Sequence, residues 1–197
     1  MLTTALKDWS AITTLLAQGH VCLTLRKGGI HEPAGPGVFE LEHPQFLLYP
    51  AYEHQKPQGL RDDLRPLVDA TPMPEPNEIT LHAWAEAAAI LHVPDRAQLD
   101  PLRDLLPWSQ SMIDMRFDYK PDRPVYAVLL RVVRLPAPVG GVENHPEYRG
   151  CRSWVPLRPE HETIPATGTP ALSDDQLTEA RTRLQNALAR TRSRTSQ

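Results

Sequence analysis

Apolar positions in this chain come in short runs, and most runs stop at a proline or a glycine. Leu2, Leu6, Trp9, Ile12, Leu15 and Leu16 recur at helical spacing and Gly19 follows as a stop, so the pattern predicts an opening helix. Val21, Leu23 and Leu25 alternate with Cys22 and Thr24, which predicts a strand that breaks at Gly28-Gly29. Residues 33–37 (Pro-Ala-Gly-Pro-Gly) form a turn, and Val38–Leu41 with Gln45–Tyr49 reads as a β-hairpin around His43-Pro44. Pro57 suits a first helical turn. Leu60, Leu64, Leu67 and Val68 then give a short helix that Pro66 bends or ends.

A proline-rich connection occupies residues 71–77. Ile79–Val93 is alanine-rich, which favours helix, yet its apolar positions hold a period of two, and strand is the preferred reading. Asp95 is placed to cap a helix whose Leu99, Leu102, Leu105 and Leu106 share a face. Pro107 divides that helix from Trp108, Met112 and Met115, again at helical spacing. Pro124–Leu135 is the strongest strand: both faces are apolar, as in a strand buried on both sides, and Pro136, Pro138 and Gly140-Gly141 are expected to end it. Cys151–Leu157 reads as one more short strand. Ser173 with Gln176 makes a capping-box pattern before a last helix lined by Leu177, Leu184 and Leu188.

These elements predict a single α+β domain over residues 1–158, a Pro/Thr-rich loop over 159–171, and a C-terminal helix with a basic end over 172–197. The expected sheet is curved, mixed or antiparallel, with surrounding helices; barrel-like closure fits so many short strands. The 21 prolines demand short, sharply bounded elements. A formal charge of -3 excludes bulk attraction to nucleic acid or membrane, so any such site must be a local patch. Cys22 and Cys151 cannot build a disulfide scaffold or a four-cysteine zinc site; a buried apolar role is expected of each. The start of the chain lacks the pattern of a signal peptide, and no apolar run reaches bilayer-spanning length, so the expected setting is cytoplasmic with reduced thiols.

Two strand ends carry the candidate chemistry. Arg26-Lys27-Gly28-Gly29 joins two cationic side chains to residues that permit close backbone approach, which suits a phosphate or another anion. It lacks the ending of a P-loop, and a turn with solvated charges is the plain alternative. Tyr49, Tyr52 and Gln55 are the other candidate ligand-binding residues. Glu53 and His54, with His31 and Glu32, offer acid–base or metal-binding groups: Glu32, Glu53 and His54 as catalytic candidates, His31 and His54 as weak metal candidates. A hydrogen-bonded structural turn competes with that reading. The acidic-x-Lys triplet of restriction-type nucleases is missing from the strand ending at Tyr49; Glu40 and Glu42 lie near a turn, and Lys56 is wrongly spaced from Glu53. Arg131 interrupts the buried strand and is expected to have a structural partner. Trp108, Arg116, Phe117, Tyr119 and Lys120 interleave aromatic and basic groups, although Asp114, Asp118 and Asp122 dilute the charge and Trp108 and Phe117 suit the core. The arginines from Arg181 to Arg194 read as a solvated helix end.

ALKDW near the start, LRKGGIHE, FLLYPAYEHQ, the RF-x-x-KP-x-x-PVYAVLLRV stretch and CRSWVPL, taken in order, resemble a bacterial family called domain of unknown function eighteen hundred and two. The resemblance covers about residues 4–158. It carries over no catalytic residue, and the cofactor is unknown. Some members are joined to a restriction-endonuclease-type domain, so the resemblance implies an accessory or recognition module in restriction-modification or DNA defence. The expected function is therefore binding of DNA, RNA or a phosphate-bearing ligand, with a separate nuclease or other protein subunit as a further partner and no membrane. A metal-dependent phosphodiesterase and a non-catalytic interaction subunit are the alternatives.

Overall fold

A computed structural model describes residues 1–27, 43–148, 150, 153–158 and 164–189. The chain opens with a strand: β1 spans Thr4–Trp9, and only Ser10–Gln18 form the helix, α1. This corrects the helix expected from Leu2 onward. Gly19, in the left-handed conformation at φ 76°, ends α1 as anticipated, its N–H returning to the last-turn carbonyls. β2 is Leu23–Arg26 and β3 is Gln45–Ala51. The other arm of the expected hairpin, Val38–Leu41, lies outside the described residues, and β3 pairs instead with β1 in parallel and with a later strand antiparallel.

The short helix expected from Pro57 is two 3₁₀ turns, Pro57–Gly59 and Arg65–Leu67. β4 runs from Glu78 to Val93, so period outweighed alanine content there. Asp95 caps the following segment as expected, with Gln98 returning the capping-box bond, but Arg96–Leu105 is 3₁₀ with Pro101 inside it. α2 spans Gln110–Asp118. β5 runs from Val125 to Glu143, through the prolines and glycines expected to end it. It tolerates them by bulging: Leu81 pairs with Val139 and Ala83 with Arg134, so one β4 residue faces residues 135–138 of β5. β6 is Trp154–Pro156, β7 is Thr169–Pro170, and α3 is Asp174–Ala189 behind the Ser173–Gln176 capping box.

The sheet has the order β2-β5-β4-β3-β1-β6, with β7 added on β5. Among the described residues only the β1–β3 pair is parallel. The sheet curls into a half-barrel, and the two faces of β1 and β3 feed different cores. Leu6, Phe46 and Leu48 join the larger core, with α1, Trp108 and α3. Ala5, Leu47 and Tyr49 join the smaller one, with Trp84, Tyr148 and Val155. Alternation along a strand sends neighbours to opposite faces, so Asp8 shares the face of Leu6 while Lys7 shares that of Ala5. Arg131 meets Glu86 at 3.4 Å and Asp174 at the start of α3, the structural pairing expected of it.

Candidate functional site

The curl brings the end of β2 back to β1. Among the described residues β2 pairs with β5 alone, and the gap to β1 is closed by side chains. Arg26 Nη2 donates to Asp8 Oδ2 at 2.8 Å, and its guanidinium also reaches the Lys7 carbonyl at 3.5 Å. The pair is shielded, at 15% and 12% side-chain exposure. Asp8 is held in turn, because its Oδ1 accepts from the Trp9 N–H at 2.8 Å. A second guanidinium stands beside the first. Arg116, on α2, donates to the Leu25 carbonyl at 3.3 Å and lies over the Trp108 ring at 4.3 Å. Burial and the Arg26 charge pull its pKa down, Asp8 pushes it up, and the balance is about 10, so it stays charged at neutral pH. Trp108 meets Trp9 edge-on at 5.2 Å. Trp154, which faces Leu6 across the β1–β6 ladder, packs edge-on against Phe46 at 5.1 Å and His43 at 5.2 Å.

This mouth is rich in unused donors. Among the described residues, Arg26 Nε, Arg116 Nε, Trp108 Nε1 and Trp154 Nε1 are buried without an acceptor, as is the Thr24 hydroxyl. A buried N–H without an acceptor costs about 1–3 kcal/mol, so the three on Arg26, Arg116 and Trp108, around the Arg116–Trp108 contact, mark a place that an acceptor-rich group would stabilise. Asp8 pairs with Arg26, and among the described residues no carboxylate pairs with Arg116, so the two guanidinium groups have one paired counter-charge between them.

The other candidates fall in different places. Lys27 donates to the carbonyls of Arg116 at 2.8 Å and Phe117 at 3.0 Å, a cation on the last turn of α2. Burial lowers its pKa, against the pull of Asp122 and Asp118. Gly28, Gly29, His31 and Glu32 lie outside the described residues. Tyr49 is buried on the smaller-core face, where its hydroxyl donates to Asn144 Oδ1 at 2.6 Å; burial, with Glu75 next, holds the phenol well above its ordinary pKa. Asn144 Nδ2 donates to Glu75 Oε2 at 3.2 Å, and Glu75 Oε1 accepts from the backbone N–H of Tyr52 and Glu53 at 3.0 and 3.1 Å. Glu75 thus ties the proline-rich connection to the end of β3. His54 is exposed in this turn at φ 61°. Gln55 is 1% exposed and bridges two backbones: Oε1 accepts from Ala11 N–H at 3.4 Å and Nε2 donates to the Thr71 carbonyl at 3.0 Å.

So the fold brings Tyr49, Tyr52 and Glu53 together around Glu75, and Arg26 together with Arg116. Among the described residues no hydrogen bond or ion pair links the 26–27 pair to residues 49–55. Nor do the described residues hold a cluster of three or more His, Cys, Asp or Glu suited to a metal. Sequence reasoning missed Asp8, Glu75 and Asn144. The one available signal was Asp8 itself, a carboxylate wedged between apolar Leu6 and Trp9 at a strand–helix junction.

Three crystal structures of an ASCH protein from Zymomonas mobilis are similar to this fold. Two are single-residue variants, 12% and 14% identical with TM-scores of 0.46 and 0.45; each match covers 80% of this chain and 89% or 91% of the other. The unsubstituted protein is 8% identical with a TM-score of 0.41, covering 91% of this chain and 92% of its own. No curated protein matches the chain. No helix among the described residues is long and apolar enough to cross a membrane. A model of the family described as domain of unknown function (DUF1802) matches residues 5–183, well over half of the chain, and the protein belongs to that family.

Proposed function

We propose that this protein is a nucleic-acid-binding module that seats a backbone phosphate at the mouth between β2 and β1. The observation that carries the reading is the pair of guanidinium groups, Arg26 and Arg116, of which only Arg26 is paired with a carboxylate and both of which keep an Nε–H without an acceptor among the described residues. A phosphodiester supplies the negative charge and the acceptor oxygens that this arrangement lacks. Trp154, half-buried beside Phe46 on the same edge, adds an indole N–H and a ring wall for a sugar or base. Overall charge is negative, so attraction is confined to this patch and affinity falls with added salt.

The test is fluorescence anisotropy with labelled single-stranded RNA, single-stranded DNA and duplex DNA at low salt. Arg116→Gln removes the charge yet keeps a donor for the Leu25 carbonyl. It is expected to weaken binding roughly tenfold and to reduce the salt slope by about one. Absence of binding to all three probes at low salt ends the reading.

A further inference from the structure

Beside the mouth, where the ends of β4 and β5 meet α2, lies an open cleft of about 360 Å³. Lys27, His92, Phe117, Asp122 and Arg123 line it, with prolines at 94, 121 and 124. Prolines hold the backbone of this wall, and its ladder ends at the Val93–Val125 pair. Two observations give the cleft a chemistry. Lys27 spends two of its three donors on the Arg116 and Phe117 carbonyls, and an ammonium keeps a third. Arg123 is half-buried, and among the described residues its guanidinium has no ion pair or side-chain hydrogen bond. Within the lining only Asp122 opposes these cations; Asp118, outside it, also acts on Lys27 but is paired with Arg96, as is Asp114. Rings border both sides: Phe117 with Arg96 at 5.6 Å on one, and His92 against Tyr126 at 5.8 Å on the other. Beyond α2, Tyr119 is 61% exposed with the Lys120 ammonium over its ring at 5.1 Å.

The cleft adjoins the mouth through one peptide bond, since Arg26 serves the mouth and Lys27 the cleft. We infer that the cleft is a second phosphate subsite, carrying a single strand of nucleic acid away from the mouth toward Tyr119 and Lys120. This rests on the reading of the mouth given above. A single strand is the class that fits, because Trp108 lies beside the mouth and Phe117 and His92 line the cleft, and a free strand can turn its phosphates inward and its bases onto rings. A free nucleotide has the same phosphate chemistry but fills one subsite only, so probe length separates the two sources.

The experiment compares a mononucleotide, a trimer and a nonamer of single-stranded RNA, labelled at one end, on the full chain. The wild type is expected to bind the nonamer roughly tenfold more tightly than the trimer, as added phosphate and stacking contacts predict. Arg123→Gln should erase that gain and leave the trimer unchanged. Asp122→Lys, at an exposed position in the lining, should enlarge the gain, and it keeps the test alive if Arg123→Gln fails to fold. A nonamer advantage that both substitutions leave untouched overturns the second subsite. Loss of mononucleotide and trimer binding in Arg123→Gln overturns it too, by making the cleft the sole site. If the wild type binds no probe of any length, the mouth reading fails and the strand path falls with it.

Discussion

Asp8→Asn should move stability and binding in opposite directions. Asparagine keeps the size of the side chain and an oxygen for the Trp9 N–H, so the junction of β1 and α1 is retained. What is lost is the charge opposite Arg26, and an amide N–H then competes where a carboxylate oxygen accepted at 2.8 Å. Breaking a fully buried pair costs about 3–5 kcal/mol, and a surface pair is worth about 0–1. With side chains at 15% and 12% exposure, and the Lys7 carbonyl still near Arg26, about 2 kcal/mol is the expected loss. For a chain of 197 residues that lowers Tm by roughly 4–8 °C. Binding is expected to respond the other way. With Asp8 neutral, Arg26 no longer has a paired counter-charge beside Arg116, and the pair should attract a phosphate more strongly, by roughly threefold to tenfold at low salt. Thermal unfolding followed by circular dichroism gives the first quantity, and anisotropy with a single strand gives the second. An unchanged Tm together with weakened binding would refute the reasoning, because the pair would then neither close the barrel nor compete with the ligand.

Gln55→Leu should cost about 2 kcal/mol by leaving the Ala11 N–H and the Thr71 carbonyl without their bridge. Oligonucleotide affinity should not change, and a loss of affinity in a folded variant would restore Gln55 as a ligand contact. Cys22 is buried, and burial first, then Asp104, pushes its pKa from 9.0 to about 12. Its alkylation, followed by peptide mass spectrometry at mildly alkaline pH, should be slower than in the denatured chain by about a thousandfold through loss of thiolate alone. The sign for stability follows: the neutral thiol is favoured in the fold, so its contribution is complete below pH 9 and is lost as pH rises toward about 12. At Gly168, φ is 143° and an added Cβ would collide with the Arg134 carbonyl oxygen. Gly168→Ala should therefore release β7 from β5 and lower stability by about 2 kcal/mol or more, read as a shift in the urea midpoint.

Much of the fold was legible because its elements are bounded by local chemistry. Asp95 and Ser173 each announced a cap, Gly19 announced a stop, and the alternation from Ile79 onward outweighed the alanines. The first strand was not legible, for a reason of arithmetic. Leu2 and Leu6 are four apart, which fits one helical face and one strand face equally well. Long-range pairing with β3 and β6 decided for strand, and it buries Ala5 and Leu6 on opposite faces. The length of β5 was hidden too, because a bulge lets prolines sit where the ladder slips. The candidate site divided along the same line. Sequence displays charges but not their partners, and Arg26 meets a carboxylate 18 positions away while Lys27 meets carbonyls 89 and 90 positions away. Gln55 reads as a candidate ligand-binding amide next to His54, yet after that left-handed residue it lies inward as a bridge between two backbones.

The way the open side of the half-barrel is bridged connects its stability to the proposed function. A ladder of backbone hydrogen bonds between β2 and β1 would seal the gap permanently; a side-chain ion pair seals it exchangeably. Asp8 offers Arg26 one charged contact, with its other oxygen committed to Trp9. A phosphodiester offers several acceptors, enough for Arg26, for Arg116 and for the Nε–H groups without an acceptor among the described residues. On the proposed reading Asp8 is therefore the internal competitor of an incoming phosphate. It neutralises the mouth enough for the chain to fold, and it is a poor enough match for two guanidinium groups that a better anion displaces it. The same argument explains why an apolar residue in place of Asp8 would not strengthen the core: Arg26, shielded and near a second guanidinium, would lose its counter-charge, and the β2–β1 junction would be least stable where the proposed ligand enters.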